Sequence, residues 1–318
     1  MNGGPSVLTA SAALPLALGL AWALDITFGE PRNAWHPVAW LGRALAPLGE
    51  WLCRLPPAIA LVGGALAWFG GAGLLALGAA WLQSSLLGLA LPWAALGLAL
   101  LLKPCFAWRM LSDEVRAVDA TLAESLAAGR ERVARLCSRD VRTMDADEVR
   151  ETAIETLAEN LNDSVVAPLF WFVLAGLPGA VVYRFANTAD AMWGYRGRYE
   201  WAGKWAARAD DVLSWLPARL TACLLAPART AAWRGLAQEA SRTPSPNGGW
   251  PMGAMALQLG VRLRKPGVYA LNPGAPSPRR ADLQRAQQHA GRAAWLAAGL
   301  AGLAGLACAL GGSWWLGA

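Results

Sequence analysis

The chain has 318 residues, of which 55% are hydrophobic and only 16% charged, and it carries 18 Trp; this composition excludes an ordinary soluble enzyme and describes an integral membrane protein. The net charge of +6 does not signal nucleic acid, because the arginines are spread through loops beside apolar runs, as suits a protein next to anionic lipid. Five isolated Cys indicate neither a disulfide framework nor a zinc site, and two His exclude a His-rich metal centre.

Taken in chain order, residues 2–24, 55–102, 164–183 and 293–318 contain no Asp, Glu, Lys or Arg. A bilayer core of about 30 Å needs about 20 apolar residues in a helix, so the run 55–102 is expected to hold two spans, broken near Pro92. Residues 212–228 are a sixth candidate, but Arg219 between Pro217 and Pro227 argues against a simple span. The expectation is an all-α, polytopic membrane protein with five to six apolar helices, forming a single membrane domain over 1–318. No Lys or Arg precedes Arg32, so the first helix is expected to be retained rather than cleaved as a signal.

Between the apolar runs lie three polar stretches. Residues 29–54, 103–163 and 229–292 hold 3, 9 and 10 Lys plus Arg, and the positive-inside rule places them together on the cytoplasmic side if both 164–183 and 212–228 cross. Alternatively, one or both of these apolar stretches dips in and returns. The segment 103–163 holds 13 of the 22 acids and reads as a charged helical segment of two or three helices. One helix starts at Ser112, Asp113 and Glu114 and is interrupted at Gly129, and the next starts at Thr143 with Asp145, Asp147 and Glu148. The region 229–292 is expected to be loop more than helix, being rich in Pro and Gly, and a loop of this kind suits a substrate lid.

Four polar clusters carry possible chemistry. The strongest is the ladder Glu151, Glu155, Glu159, Asn160, Asn162 and Asp163, which empties into the apolar run at 164. Its acids share one helical face with no Lys or Arg interleaved, so the neighbours repel by roughly 0.2–0.5 kcal/mol per pair. A cation is expected to compensate. The plain alternative is a solvated face, whereas Glu155, Glu159 and Asp163 offer the oxygen ligands that Mg²⁺ takes alongside substrate phosphates. Near the first span, Asp25 and Glu30 read as membrane-edge capping carboxylates, and His36 as a candidate general base. The motif Asn187 to Tyr195 sets Asn187, Asp190 and Gly194 on one helical side. Arg208, Asp210 and Asp211 lead through Trp215 to Arg219; the spacing of 208, 211, 215 and 219 puts two guanidiniums and a carboxylate on one face, suited to phosphate or carboxylate. Ser245, Pro246, Asn247, Gly248 and Gly249 form a compact turn of substrate-contacting type.

This ordered set of motifs resembles the cobalamin-biosynthesis CobD/CbiB membrane proteins, the adenosylcobinamide-phosphate synthases. The resemblance rests on Asp25 with Gly29-Glu30-Pro31 and His36-Pro37, on Glu155-Thr156 with Ala158-Glu159-Asn160 and Asp163, and on Pro168-Leu169-Phe170. It continues through Asn187-Thr188 with Asp190 and Gly194-Tyr195, Ala207-Arg208 with Asp210-Asp211, Pro217-Ala218-Arg219, and Ser245-Pro246-Asn247. It implies an ATP- and Mg²⁺-dependent ligase of the bacterial inner membrane that joins aminopropanol, or its O-phosphate, to the propionate of adenosylcobyric acid, its corrinoid substrate. Later cobamide-assembly membrane enzymes are implied partners.

Under this resemblance Glu155, Glu159 and Asp163 hold the metal, and Arg208 and Arg219 steady phosphate. Asp190, Asp210 or Asp211 receives the ammonium, with His36 as a second base; Asn160, Asn187, Tyr195, Ser245 and Asn247 contact substrate. Departures from the family pattern are Glu30 for Asp, Leu161-Asn162 for Thr-Val, Ser214 for Asn and Met252 for an acid. No Gly-rich phosphate loop is present. The rival readings are a transporter with a midplane site, a CDP-alcohol phosphotransferase, whose motif spacing is not reproduced here, and a non-catalytic AmpE-like regulatory relative.

Overall fold

The computed structural model describes residues 7–137, 139–195, 197–226 and 230–310. Four helical stretches are long and apolar enough to cross a membrane, Pro57–Leu87, Leu91–Glu124, Ala146–Trp193 and Arg280–Leu310, and Ala12–Phe28 and Trp215–Leu225 are shorter apolar helices. The expected all-α membrane architecture is therefore present. Among the described residues the only sheet is a hairpin of β1 (Leu263–Lys265) and β2 (Tyr269–Leu271), paired antiparallel with Arg264 opposite Ala270. The far ends of the first and last apolar runs, and Pro227, lie outside the described residues.

Local rules explain most boundaries. The uncharged run 55–102 divides into α3 (Pro57–Leu87) and α4 (Leu91–Leu102). Pro92 falls in the first turn of α4, where its missing N–H breaks no hydrogen bond. The following α5 (Trp108–Glu124), α6 (Leu126–Val133) and α7 (Ala146–Leu161) are the helices of the charged segment. Asp145 caps α7 in a full capping box with Glu148, as the cluster of acids there predicts.

Several boundaries differ from expectation. Ser112 lies inside α5, which starts at Trp108, and the break falls at Ser125, whose hydroxyl caps α6. Gly129 is not a helix breaker: a Cβ there would meet Leu122 at 2.6 Å, so glycine lets α6 fold tightly against α5. Residues 229–292 are also more ordered than their Pro and Gly content suggests. They hold α11 (Thr230–Ala240), α12 (Gly249–Leu259), the hairpin and the start of α13 (Arg280–Leu310), because Pro251 falls in the first turn of α12, where proline is tolerated.

The chain divides into two compact units. The first draws on residues 1–107, 167–213 and 298–318, the second on 108–166 and 214–297. In the first unit, α1 (Val7–Phe28) packs on α4, while α8 (Ala167–Trp193) packs on α2 (Pro37–Leu52), α3 and α9 (Lys204–Leu213) around buried Trp68, Phe185 and Trp193. In the second unit, α7 packs on α5, α6, α12 and β1, and α10 (Trp215–Leu225) packs on α12 and on a π-helical turn, Asn162–Val166. With 11 residues, α10 reaches about 17 Å, well short of a bilayer core.

Inside its apolar stretch α8 is broken at Ala175 and Gly176, the latter at φ +64°. The freed N–H of Leu177 donates to the side-chain oxygen of Gln83 on α3 at 2.7 Å, which is how a broken helix avoids an unpaired backbone group away from water. A Cβ at Gly176 would sit 2.5 Å from that same Gln83 oxygen. Gly176→Ala is therefore expected to cost about 2 kcal/mol from backbone strain and displaced Gln83; thermal unfolding in detergent reads it, and an unchanged melting temperature would count against the bond.

Candidate functional site

In the second unit, the acid ladder of α7 meets arginines that come from outside it. Glu151 is fully buried, with Arg264 at 3.1 Å and Arg262 at 3.4 Å. Glu155, also buried, takes Arg139 at 2.7 Å through Oε2, and Arg139 reaches Thr152 and the Tyr269 hydroxyl as well. Burial alone would lower the pKa of Arg139, but the charge and hydrogen bonds of Glu155 outweigh it and raise the pKa. The Tyr269 phenol is pushed up by burial and then by the same carboxylate, so it stays protonated. The first two rungs thus have their cations.

Glu159 differs from them. Its side chain is exposed, and among the described residues it forms no ion pair and no hydrogen bond. Gly248 lies against it so closely that a Cβ there would stand 2.9 Å from Glu159 Oε1. One turn on, Asp163 sits in the π-helical turn, where Asn162 Nδ2 donates to its Oδ1 at 2.8 Å. Thr221 of α10 donates to Asn162 Oδ1 at 3.1 Å, which ties α10 to this turn. Asn160 spends its amide N–H on the Thr156 carbonyl at 3.1 Å.

The loop before α12 joins these parts. Ser245 Oγ accepts from the backbone N–H of Asn247 and Gly248, forming a side-chain-closed turn. Arg219 holds the next residue, donating to Asn247 Oδ1 at 2.9 Å and to the carbonyls of Trp215 and Pro246. Its guanidinium lies 4.3 Å from the Trp215 ring centroid and 4.7 Å from that of Trp250, a stacked geometry that arginine suits and lysine does not. Arg219 therefore latches the loop whose Gly248 lies against Glu159.

Could these residues hold a divalent ion? Among the described residues no three His, Cys, Asp or Glu groups gather in metal-binding geometry, so a complete cage of Glu155, Glu159 and Asp163 is not assembled, and Arg139 has claimed half of Glu155. The other oxygen of Glu155, Oε1, is buried with no hydrogen-bond partner. One or two carboxylates completed by phosphate oxygens is the habit of Mg²⁺, and Glu159 with Asp163 fits that donor set.

The first unit holds the remaining sequence candidates. Lys103 bridges Asp25 at 3.0 Å and Glu30. His36 Nε2 lies 2.7 Å from Glu30, while His36 Nδ1 accepts from the Val38 N–H and caps α2. With Nδ1 accepting, Nε2 carries the proton, so no lone pair is left for a general base. His36 thus caps α2 and pairs with Glu30. Burial pushes the Glu30 pKa up, but the hydrogen bonds and charges of His36 and Lys103 outweigh it and hold the pKa below the ordinary carboxylate value. The stability this contributes is present above about pH 4.5 and lost as pH falls through the lowered pKa. Glu30→Gln should flatten that acid limb of the melting temperature against pH; an unchanged profile would refute the linkage.

On α8, Asn187 receives Arg184 and donates to Asp210 Oδ1 on α9, both at 3.4 Å. A Cβ at Gly194 would meet Asp190 Oδ1 at 2.0 Å, and Tyr195 and Arg208 are exposed. Burial raises the Asp211 pKa, opposed by the Arg208 charge. The positions 208, 211, 215 and 219 divide between α9, which ends at Leu213, and α10, which begins at Trp215. Reasoning from sequence missed Lys103, Arg139, Arg262, Arg264 and Tyr269; only the unmatched acids of α7 signalled that such cations must exist.

A family profile described as CobD/Cbib protein matches residues 18–297. A probable cobalamin biosynthesis protein CobD of Thermococcus kodakarensis is 41% identical over 280 residues, covering 86% of this chain and 90% of its own. A cobalamin biosynthesis protein CobD of Chromobacterium violaceum is 40% identical over 312 residues, covering 90% and 95%, and one of Rhodobacter capsulatus is 38% identical over 299 residues, covering 86% and 91%. No solved structure matches the chain.

Proposed function

The chain belongs to the CobD/Cbib family, and from that premise we propose that it acts in cobalamin biosynthesis as a membrane-bound, ATP-dependent ligase. The bond formed is an amide between the free propionate of adenosylcobyric acid and the amine of aminopropanol or its O-phosphate. A carboxylate is a poor electrophile, so the propionate is first phosphorylated by ATP; the deprotonated amine then attacks the acyl carbon and phosphate leaves.

The observation that carries this reading is Glu159: an exposed acid that forms no ion pair among the described residues, beside Asp163 and against the loop that Arg219 latches. Glu159 and Asp163, with the spare oxygen of Glu155 behind them, would hold Mg²⁺ with the phosphates, and the ion would neutralise phosphate charge. Asn160, Ser245 and Asn247 shape this place. Within the first unit, Asp190, Asp210 and Asp211 are the candidates to receive the ammonium, with Asn187, Tyr195 and Arg208 as contacts.

The test is direct. Detergent-purified protein is incubated with adenosylcobyric acid, Mg²⁺, ATP and each amine in turn, and products are read by mass. Amide product dependent on ATP supports the reading; binding without turnover would favour a transporter or a regulatory relative.

A further inference from the structure

In the first unit, the segment that holds α2 begins and ends at apolar helices, α1 and α3. Gly29, at φ +67°, closes α1 by donating its N–H to the Asp25 carbonyl at 2.9 Å, and α2 follows after its His36 cap. With 16 residues α2 reaches about 24 Å, and it carries Arg43 and Glu50. Neither its length nor its charge suits crossing an apolar core about 30 Å thick.

One side of α2 is fixed by packing. Leu45, Gly49 and Leu52 are buried; a Cβ at Gly49 would stand 2.1 Å from Trp193 Nε1, and that indole donates to the Leu45 carbonyl at 3.2 Å. The other side is thereby held outward. It presents Trp40, Ala44, Pro47 and Trp51 at a helical 4, 3, 4 spacing, the two indoles 47% and 57% exposed. The Trp40 N–H donates to the Ala34 carbonyl at 2.8 Å, which ties to α2 the turn that carries Trp35, 73% exposed.

Cations surround these indoles. Arg32, Arg43 and Arg54 are exposed, and among the described residues their side chains form no ion pair and no hydrogen bond. The exposed acid here is Glu50, and Arg198 stands 4.0 Å from it. Exposed indoles in this number mark an interaction surface, and the free guanidiniums between them call for an anion. Phospholipid headgroups meet both needs, since tryptophan settles at their level and arginine pairs with phosphate.

We propose that α2 is an interfacial helix that docks on anionic phospholipid headgroups. Trp35, Trp40 and Trp51 enter the headgroup layer, and Arg32, Arg43 and Arg54 take the lipid phosphates.

The test places full-length protein in nanodiscs of phosphatidylcholine, with or without phosphatidylglycerol, and follows hydrogen exchange in the peptide spanning residues 37–52. The expected result is slower exchange with phosphatidylglycerol, an effect that fades at high salt. Arg32→Gln with Arg43→Gln and Arg54→Gln should abolish the slowing. In native mass spectrometry from nonionic detergent, the same triple variant should lose about thirtyfold in preference for phosphatidylglycerol over phosphatidylcholine, the scale of two guanidiniums at an anionic surface once Glu50 offsets the third. A charge-matched control, Arg135→Gln with Arg142→Gln and Arg279→Gln at exposed positions of the second unit, should keep the wild-type preference. Equal exchange in the two membranes would overturn the proposal, as would a control variant that loses the preference as fully as the triple variant. Protection that follows dimer formation rather than lipid would give this face to a second copy of the chain and overturn it as well.

Discussion

Glu159→Gln is expected to reduce amide formation by about a hundredfold or more, the scale of losing a group that neutralises charge at the reacting centre. Insertion and melting temperature should stay close to the parent, because Glu159 is exposed and among the described residues pairs with nothing. Glu151→Gln is the informative contrast. Glu151 is buried against Arg262 and Arg264, so its loss should be felt in stability more than in chemistry. Turnover by the Glu159 variant near the wild-type rate would remove that residue from the site.

Arg139→Ala carries the largest expected effect on stability. It leaves the Glu155 carboxylate, 1% exposed, buried without its cation, and breaking a buried pair in this way costs about 3–5 kcal/mol. Replacing both partners, Arg139→Met with Glu155→Met, should recover most of the loss, since an apolar pair of similar volume is often neutral. Thermal unfolding of the parent, Arg139→Met, Glu155→Met and the Arg139→Met, Glu155→Met double variant, the four corners of one cycle, reads the coupling directly. Equal melting temperatures for the Arg139→Ala single variant and the parent would show that the pair contributes nothing.

Much of the membrane architecture was legible because it depends on local properties. Uncharged runs predicted the apolar helices, Pro92 marked the division of the longest run, and the acids after Thr143 marked the start of α7. The break in α8 was less legible, since it depends on Gln83 lying about ninety positions away in sequence, and a lone glutamine in an apolar helix gives no local sign of its partner. Gly129 misled because glycine serves equally as a helix breaker and as a point of close approach, and only the position of Leu122 distinguishes the two.

For the site, the repulsion along α7 was a sound clue with an incomplete answer. Unpaired acids on one helical face require a cation; for Glu151 and Glu155 the cations are Arg262, Arg264 and Arg139, none of them on α7. Among the described residues, Glu159 is the rung of α7 that forms no ion pair. His36 shows the same limit: its contacts with the Val38 N–H and with Glu30 depend on the turn before α2, which the residue type alone does not reveal. The pairing of Arg219 with two tryptophans and Asn247 likewise depends on the loop before α12, which sequence spacing alone does not place.

The most direct test uses Mn²⁺ as a spectroscopic stand-in for Mg²⁺, with ATP and purified protein, followed by electron paramagnetic resonance. The expected result is a protein-bound, nucleotide-dependent Mn²⁺ signal in the wild type and in Glu151→Gln, lost in the double variant Glu159→Gln, Asp163→Asn. A bound signal that persists unchanged in that double variant would contradict the assignment of the metal and its nucleotide to this end of α7.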